Sequence, residues 1–267
     1  MYYADYHMHS NNSTDARDTM TDMARASADF GLSEICFTDH CDLLTDELVV
    51  LNDFSLEPLR EQYKAALLTC GSRIKIKFGL ELGQPLSNPE LADKLVNSDD
   101  LDFIIGSIHV LPELGDCYYM EYDSPEQCSF IISRYLDEVE ALAKWGNFDV
   151  LGHLTYPIRY MHRKGIKMDF SAFTDRVRSL YRLLIESGMG IELNMSNLKR
   201  PGGETMPDLN LLKLYKDCGG EIITVGSDAH RADDAGAFVP RGCDLLGYAG
   251  FRYYCVYDHR KPEFIKI

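Results

Sequence analysis

Residues 3–9 read YADYHMH, a short strand-like run that ends in two histidines at positions i and i+2. On an extended strand these two side chains project from the same face. The pattern recurs in six later runs, which end at His40, Glu81, His109, His153, Asn194 and the pair Asp228 and His230. Of the eight histidines, only His162 and His259 lie elsewhere. The recurrence predicts a metal site rich in histidine and carboxylate at one end of a barrel.

Helical patterns fill the spaces between these runs. Thr19 and Asp22 form a capping-box pattern, and residues 124–127 (SPEQ) predict the start of a helix that ends at Gly146. Asp169 is expected to cap a later helix. Alternating strands and helices imply parallel pairing with right-handed crossovers. The sequence thus predicts an α/β fold of seven βα units with a strand-like tail at residues 251–257, all within one domain over residues 1–267.

Composition restricts the class of protein. The formal net charge of -15 argues against a nucleic-acid binder, because phosphate contacts need clustered Lys and Arg. No run approaches the ~20 apolar residues of a membrane-spanning helix, and no targeting segment is recognisable. The eight cysteines include no C-x-x-C pair, which is typical of reduced thiols. We therefore expect a cytoplasmic protein that binds neither nucleic acid nor membrane.

The strand ends offer more metal ligands than a single ion can use. Mixed imidazole and carboxylate ligation suits zinc, manganese or iron better than calcium. One ion takes about four to six ligands, so this inventory predicts a centre of two to three divalent ions. The nine candidate ligands are His7, His9, Asp15, His40, Glu81, His109, His153, Asp228 and His230.

Six of these motifs resemble, in order over the whole chain, those of the polymerase-and-histidinol-phosphatase (PHP) superfamily. They are His7-Met8-His9, Thr38-Asp39-His40, Gly79-Leu80-Glu81, Gly106-Ser107-Ile108-His109, Gly152-His153 and Gly226-Ser227-Asp228-Ala229-His230. The run Gly190–Asn194, followed by Ser196 and Arg200, looks most like the histidinol-phosphatase branch. The resemblance implies a distorted (β/α)7 TIM-like barrel whose trinuclear metal site, at the C-terminal ends of the strands, hydrolyses phosphate monoesters. The implied reaction converts L-histidinol phosphate and water to L-histidinol and phosphate in histidine biosynthesis.

The same resemblance assigns the ligands to three ions. Glu81 would bridge the first two ions, and Asp15 would stand where many relatives have histidine. Asp39 is expected to orient a ligand rather than to contact metal. The implied sets are His7, His9, Glu81 and Asp228 for one ion, Glu81, His109 and His153 for the second, and Asp15, His40 and His230 for the third.

Several other residues are candidates for substrate binding and proton transfer. A guanidinium can bind two phosphoryl oxygens at once, so Arg159 and Arg200 are the candidate phosphate ligands, with Arg159 also catalytic. Asp15, His40 or a metal-bound water could protonate the departing alkoxide. The carboxylates that could face a cationic amine of the substrate are Asp42, Glu113 and Asp116.

The sequence is also compatible with other functions. The barrel could act on a different small phosphate ester or on phosphotyrosine, and the negative charge disfavours a nuclease. An inactive metal-binding scaffold would more naturally lack some of the ligands, whereas here the set is complete. The sequence leaves the oligomeric state undetermined.

Overall fold

Strands and helices alternate through the computed structural model, which describes all residues 1–267. The strands are β1 Ala4–Asp5, β2 Glu34–Phe37, β3 His40–Asp42, β4 Lys75–Gly83, β5 Phe103–Ser107, β6 Val110–Leu111, β7 Gly115–Asp116, β8 Val150–Leu151, β9 Gly190–Asn194, β10 Ile223–Gly226, β11 Tyr253–Asp258 and β12 Lys261–Lys266. The helices are α1 Met20–Phe30, α2 Glu57–Cys70, α3 Pro89–Val96, α4 Pro125–Trp145, α5 Ile158–Arg163, α6 Thr174–Glu186, α7 Leu209–Asp217 and α8 Val239–Tyr248. No helix combines the length and the apolar composition that crossing a bilayer requires.

Seven parallel strands form the barrel, in the order β1-β2-β4-β5-β8-β9-β10. The backbone closes the seam between the first and last strands, because Tyr6 N donates to Val225 O at 2.9 Å and Asp228 N donates to His7 O at 2.8 Å. Short β3 pairs with β4 beyond the main path. The predicted seven-stranded α/β barrel is therefore confirmed. Because all seven strands run the same way, their carboxyl ends share one rim.

The boundaries of α1 and α4 agree with the predicted caps. Thr19 caps α1 by accepting from Asp22 N, and Ser124 caps α4 by accepting from Gln127 N. Gly146 ends α4 in the left-handed conformation at φ 75°. The expectation for Asp169 was wrong: its carboxylate accepts from Ser171 N at the start of a 3-10 turn, and α6 begins only at Thr174.

The C-terminal hairpin β11–β12 covers the amino end of the barrel. Tyr257 packs against Phe103 with ring centroids 4.7 Å apart, and Tyr6 packs edge-on against Phe103. Arg260, in the hairpin turn, pairs with the buried Asp149. The sequence predicted only the first of these strands, since β12 is largely exposed and its residues KPEFIK lack an apolar run. The hairpin leaves the carboxyl rim free for the functional site.

Candidate metal centre

All nine candidate ligands lie together at the carboxyl rim. His7 and His9 follow β1, His109 follows β5, and His153 follows β8. His40 belongs to β3 and Glu81 to β4. Asp15 lies in the loop before α1, and Asp228 and His230 lie in the loop after β10. The barrel thus joins residues that are separated by more than two hundred positions in the chain.

Glu81 lies at the centre of the cluster and is fully buried. Five imidazole rings approach its carboxylate, and Ser107 Oγ donates to its Oε1 at 2.6 Å. The nitrogen–oxygen distances are 2.8 Å for His153 Nε2 and 3.2 Å for His109 Nε2, both to Oε1, and 2.8 Å for His40 Nδ1, 3.2 Å for His7 Nε2 and 3.6 Å for His9 Nε2, all to Oε2.

Asp228 and Asp15 extend the cluster towards solvent. Asp228 Oδ1 lies 3.3 Å from His9 Nε2 and 3.5 Å from His230 Nδ1. Asp15 lies at the outer edge, where its Oδ2 is 3.0 Å from His230 Nε2 and its Oδ1 is 3.8 Å from His40 Nε2. Most of the Asp15 side chain is exposed, whereas Asp228 is almost buried.

Hydrogen bonds at Nδ1 set the tautomers of several rings. His109 Nδ1 lies 2.8 Å from Asp42 Oδ1, and His230 Nδ1 lies 3.0 Å from the carbonyl of Asp228. His7 Nδ1 faces Glu192 at 2.6 Å. An acceptor at Nδ1 requires the proton there, which leaves the Nε2 lone pair directed into the cluster. These rings therefore present metal-binding atoms.

A hydroxyl network positions His9 and His40. Ser13 Oγ donates to Asp39 Oδ1 at 2.7 Å, lies 3.3 Å from His9 Nδ1, and accepts from His40 N at 3.0 Å. Asp39 also accepts from the backbone and the hydroxyl of Ser10. Asp39 therefore acts on the two histidines through Ser13 and not by direct contact with their rings.

Several buried nitrogen and oxygen atoms in the cluster face one another at close range without the alignment of a hydrogen bond. A buried polar atom without a partner is costly, so a group must compensate for it. Divalent ions fit this donor set of imidazole nitrogens and carboxylate oxygens. The ligand atoms that lack an aligned hydrogen bond at the centre of the cluster are His7 Nε2, His9 Nε2, His40 Nδ1 and Glu81 Oε2.

The electrostatics of the cluster keep its carboxylates ionised. Burial raises the pKa of Glu81, but the facing His7, His40 and His109 outweigh it and hold that pKa well below its ordinary value. The pKa of Asp228 is likewise well below its ordinary value, because His7 and His9 outweigh its burial. Burial lowers the pKa of His9 well below its ordinary value, and the neighbouring His40 adds to that effect. Burial lowers the pKa of His7 and His109, but the facing carboxylates outweigh it and raise that pKa well above its ordinary value, so a metal ion would displace protons from these two rings.

Arg159 makes contacts at the border of the cluster, whereas the Arg200 side chain makes none that ties it to a ligand. The Arg159 guanidinium lies 5.1 Å from the ring centroid of Tyr156 and 5.0 Å from that of Tyr160. Its Nη1 is 3.9 Å from Asp228 Oδ2, and its buried Nε has no partner. Arg200 follows a 3-10 turn after β9 and makes no side-chain hydrogen bond or ion pair. Of the two candidate arginines, only Arg159 therefore makes an ion pair with a candidate metal ligand.

The two histidines outside the strand-end pattern also lie outside the cluster. His162 Nε2 lies 2.8 Å from the carbonyl of Met168. His259 is in the hairpin turn at the opposite end, where Asp102 and Asp258 also lie. The Lys77 ammonium contacts both of those carboxylates and offsets part of their negative charge.

Sequence reasoning missed Glu192, which contacts His7 from β9. The signal was a glutamate between Ile191 and Leu193 in a fully buried strand, where an inward-facing carboxylate needs a partner. It also missed Ser13, since a serine in a loop carries no distinctive pattern. Asp42 was considered only for the substrate's amine, and the structure places it on His109.

Residues 5–196 match the family model for the PHP domain. The chain belongs to the PHP domain family. This PHP chain is 27% identical over 265 residues to a histidinol-phosphatase of Lactococcus lactis, covering 97% of the chain and 96% of that protein. It is 28% identical over 263 residues to a Thermotoga maritima protein named "Probable histidinol-phosphatase", covering 98% and 99%.

A solved structure has the same fold. The crystal structure of the Lactococcus lactis histidinol phosphate phosphatase, complexed with zinc, L-histidinol and phosphate, superposes with a TM-score of 0.85. The match covers 98% of each chain at 24% identity. The distorted barrel of the PHP family therefore extends over nearly the whole protein.

We expect Glu81→Ala to remove most of the metal that the purified protein retains, because it deletes the carboxylate that five histidines share. Elemental analysis after gel filtration measures the retained metal. His162→Ala and His259→Ala, which lie outside the cluster, should retain as much metal as the wild type. Full metal content in Glu81→Ala, with folding matched by circular dichroism, would contradict the geometry described above.

Proposed function

We propose that the protein is a metal-dependent histidinol-phosphatase, which hydrolyses L-histidinol phosphate to L-histidinol and phosphate in histidine biosynthesis. The observation that carries this proposal is the cluster around Glu81, in a chain that aligns end to end with curated histidinol-phosphatases. A cluster of imidazoles and carboxylates suits phosphate-ester hydrolysis, because bound cations offset the negative charge of the phosphoryl group.

We propose that the centre holds two to three divalent ions of zinc, manganese or iron. The contacts of Glu81 support a bridging role for its carboxylate, since each of the two oxygens faces a different set of imidazole nitrogens. Bound ions would polarise the phosphoryl oxygens and lower the pKa of water, so that a nucleophile exists near neutral pH. The proposed ligand sets are His7, His9, Glu81 and Asp228, then Glu81, His109 and His153, then Asp15, His40 and His230.

Arg159 is the proposed phosphate-binding and catalytic arginine. Tyr156 and Tyr160 hold its guanidinium in place, and the side chain is 17% exposed. A guanidinium that is already ordered at the edge of the ligand set needs little reorganisation to bind two phosphoryl oxygens as charge develops. Arg200 is proposed as a second phosphate ligand, supported by its position after the carboxyl end of β9.

Proton transfer to the leaving alkoxide is proposed for Asp15, His40 or a metal-bound water. Asp15 lies at the outer edge of the cluster, where its side chain is 58% exposed, and the His40 side chain is 22% exposed. An alkoxide that departs towards solvent would pass these two groups first. The rest of the ligand set lies deeper in the barrel, and Glu81 is fully buried.

The non-phosphate end of the substrate would face the loop between β5 and α4. Asp116 is half-buried there at the end of the β6–β7 hairpin, and burial raises its pKa. Glu113 occupies the hairpin turn with φ 72°. A cationic amine would be stabilised by these carboxylates. Asp42 already contacts His109, so we assign the amine to Asp116 first.

A single domain over residues 1–267 and a cytoplasmic location complete the proposal. The PHP match ends at residue 196, yet β10 closes the barrel and the loop after it supplies Asp228 and His230. All eight cysteines are free, which is typical of a reducing compartment. Nothing in the site calls for nucleic acid or a membrane, and a small phosphate ester is the proposed ligand.

Phosphate release from a panel of phosphate monoesters tests the substrate. We expect kcat/KM for L-histidinol phosphate to exceed that for nucleotide, sugar and aryl phosphates, because only this substrate brings a cationic end to the carboxylates at the rim. A kcat/KM that is highest for an aryl phosphate would favour action on phosphotyrosine. A flat profile would indicate a general phosphomonoesterase, and either result would overturn the assignment to histidinol phosphate.

Arg159→Ala should lower kcat/KM roughly 30- to 1,000-fold if the guanidinium stabilises the transferring phosphoryl group. This change corresponds to a loss of about 2–4 kcal/mol in transition-state stabilisation. Arg163→Ala is the matched control, since Arg163 stacks on Tyr118 and Tyr160 without facing the cluster. The control should retain wild-type rates. Equal small losses in both variants would exclude a phosphate-binding role for Arg159.

A further inference from the structure

Glu192 is a buried carboxylate in the middle of β9, and its side chain points into the barrel beside His7. We propose that Glu192 is a positioning residue of the metal centre, which holds the His7 ring with Nδ1 protonated and Nε2 directed at Glu81. The inference rests on the proposed metal centre and not on the identity of the substrate.

The contact with His7 determines the state of that ring. His7 Nδ1 and Glu192 Oε1 are 2.6 Å apart, and neither side chain is exposed to solvent. On the other side of the ring, His7 Nε2 lies 3.2 Å from Glu81 Oε2 and 3.7 Å from Asp228 Oδ1. A neutral imidazole has one donor and one acceptor, so a proton on Nδ1 leaves the lone pair on Nε2. Glu192 therefore selects the tautomer that can bind a metal ion.

Both oxygens of Glu192 are occupied, which fixes the carboxylate itself. Oε2 accepts from His153 N at 2.8 Å, and Oε1 also accepts from Asn194 Nδ2 at 3.1 Å. His153 is another candidate ligand, so the same carboxylate positions the backbone that carries it. Glu192 thus links the ends of β1, β8 and β9.

The neighbouring strand leaves room for this contact. A Cβ atom at Gly226 would lie 2.4 Å from Glu192 Oε1 and 2.4 Å from His7 Cβ. No side chain fits there, so glycine at the end of β10 allows the carboxylate and the imidazole to meet at the barrel seam. Residues at the ends of β1, β8 and β9, together with Gly226 on β10, therefore surround the hydrogen bond between His7 and Glu192.

A carboxylate at Nδ1 differs from the acceptors used by other rings. His9 faces the Ser13 hydroxyl and His230 faces a backbone carbonyl, both of which are neutral. A charged acceptor raises the basicity of the imidazole and strengthens its bond to metal. His109 has a carboxylate partner in Asp42, but that side chain is 30% exposed. Glu192 is the fully buried member of this class.

Glu192→Gln tests the role, because glutamine keeps the size but must turn its amide NH2 towards either His7 Nδ1–H or His153 N–H, which are both donors. Zn²⁺ itself is the probe, and competition with a chromophoric chelator at fixed pH measures its affinity. We expect the variant to bind Zn²⁺ about 10- to 100-fold more weakly than the wild type. Glu34→Gln is the matched control: Glu34 is equally buried and accepts hydrogen bonds from the Tyr2 and Tyr6 hydroxyls. This control should leave Zn²⁺ affinity unchanged.

The outcomes separate this inference from the proposed function. A wild type that binds Zn²⁺, together with an equally tight Glu192→Gln variant, would overturn the positioning role alone. Equal loss of affinity in Glu34→Gln would also overturn it, because the effect would then reflect general stability. A wild type without Zn²⁺ affinity would refute the metal centre and, with it, the role of Glu192.

Nuclear magnetic resonance of the wild type keeps the inference testable if Glu192→Gln does not fold. In the zinc-loaded protein labelled with 15N-histidine, we expect His7 to carry its proton on Nδ1 and to exchange it slowly with solvent. An unprotonated Nδ1 at His7 would contradict the proposed hydrogen bond to Glu192.

Discussion

The buried carboxylate of Glu81 is the feature on which the rest of the site depends. An ionised carboxylate in a protein interior is costly unless charged or polar partners surround it. Five imidazoles and the Ser107 hydroxyl converge on Glu81, and they come from β1, β3 and β5 with the loops beyond them, and from the loop after β8. The parallel barrel makes this possible, because the carboxyl ends of its strands share one rim.

Outer contacts hold the inner ligands in place. Glu192, Asp42, Ser13 and the carbonyl of Asp228 each engage the Nδ1 atom of a different histidine. Each contact removes one rotational or tautomeric freedom before any metal binds, so the ligand set is preorganised. Stabilising contacts at the other end, such as that between Arg260 and Asp149, lie away from the chemistry. The barrel therefore separates the end that carries the site from the end that closes the core.

The barrel and the metal ligands around Glu81 could be predicted from the sequence because residues that are close together in the chain indicate both. A polar residue at the end of each strand is a short-range signal. So are the residues that cap helices, such as Thr19 before α1 and Gly146 after α4. The contact between His7 and Glu192 spans 185 positions, and no local pattern joins its two members. Asp169 misled for a related reason: its carboxylate bonds a 3-10 turn that the sequence does not distinguish from the first turn of an α-helix.

Anomalous diffraction from zinc-loaded crystals, measured at the zinc absorption edge, directly tests the proposal that Glu81 bridges two metal ions. We expect two or three anomalous peaks within the rim cluster. The carboxylate oxygens of Glu81 should lie about 2.0–2.2 Å from two of them, which is the usual zinc–oxygen distance. A single peak, or peaks at Asp102 and Asp258 beneath the barrel with none beside Glu81, would contradict this proposal.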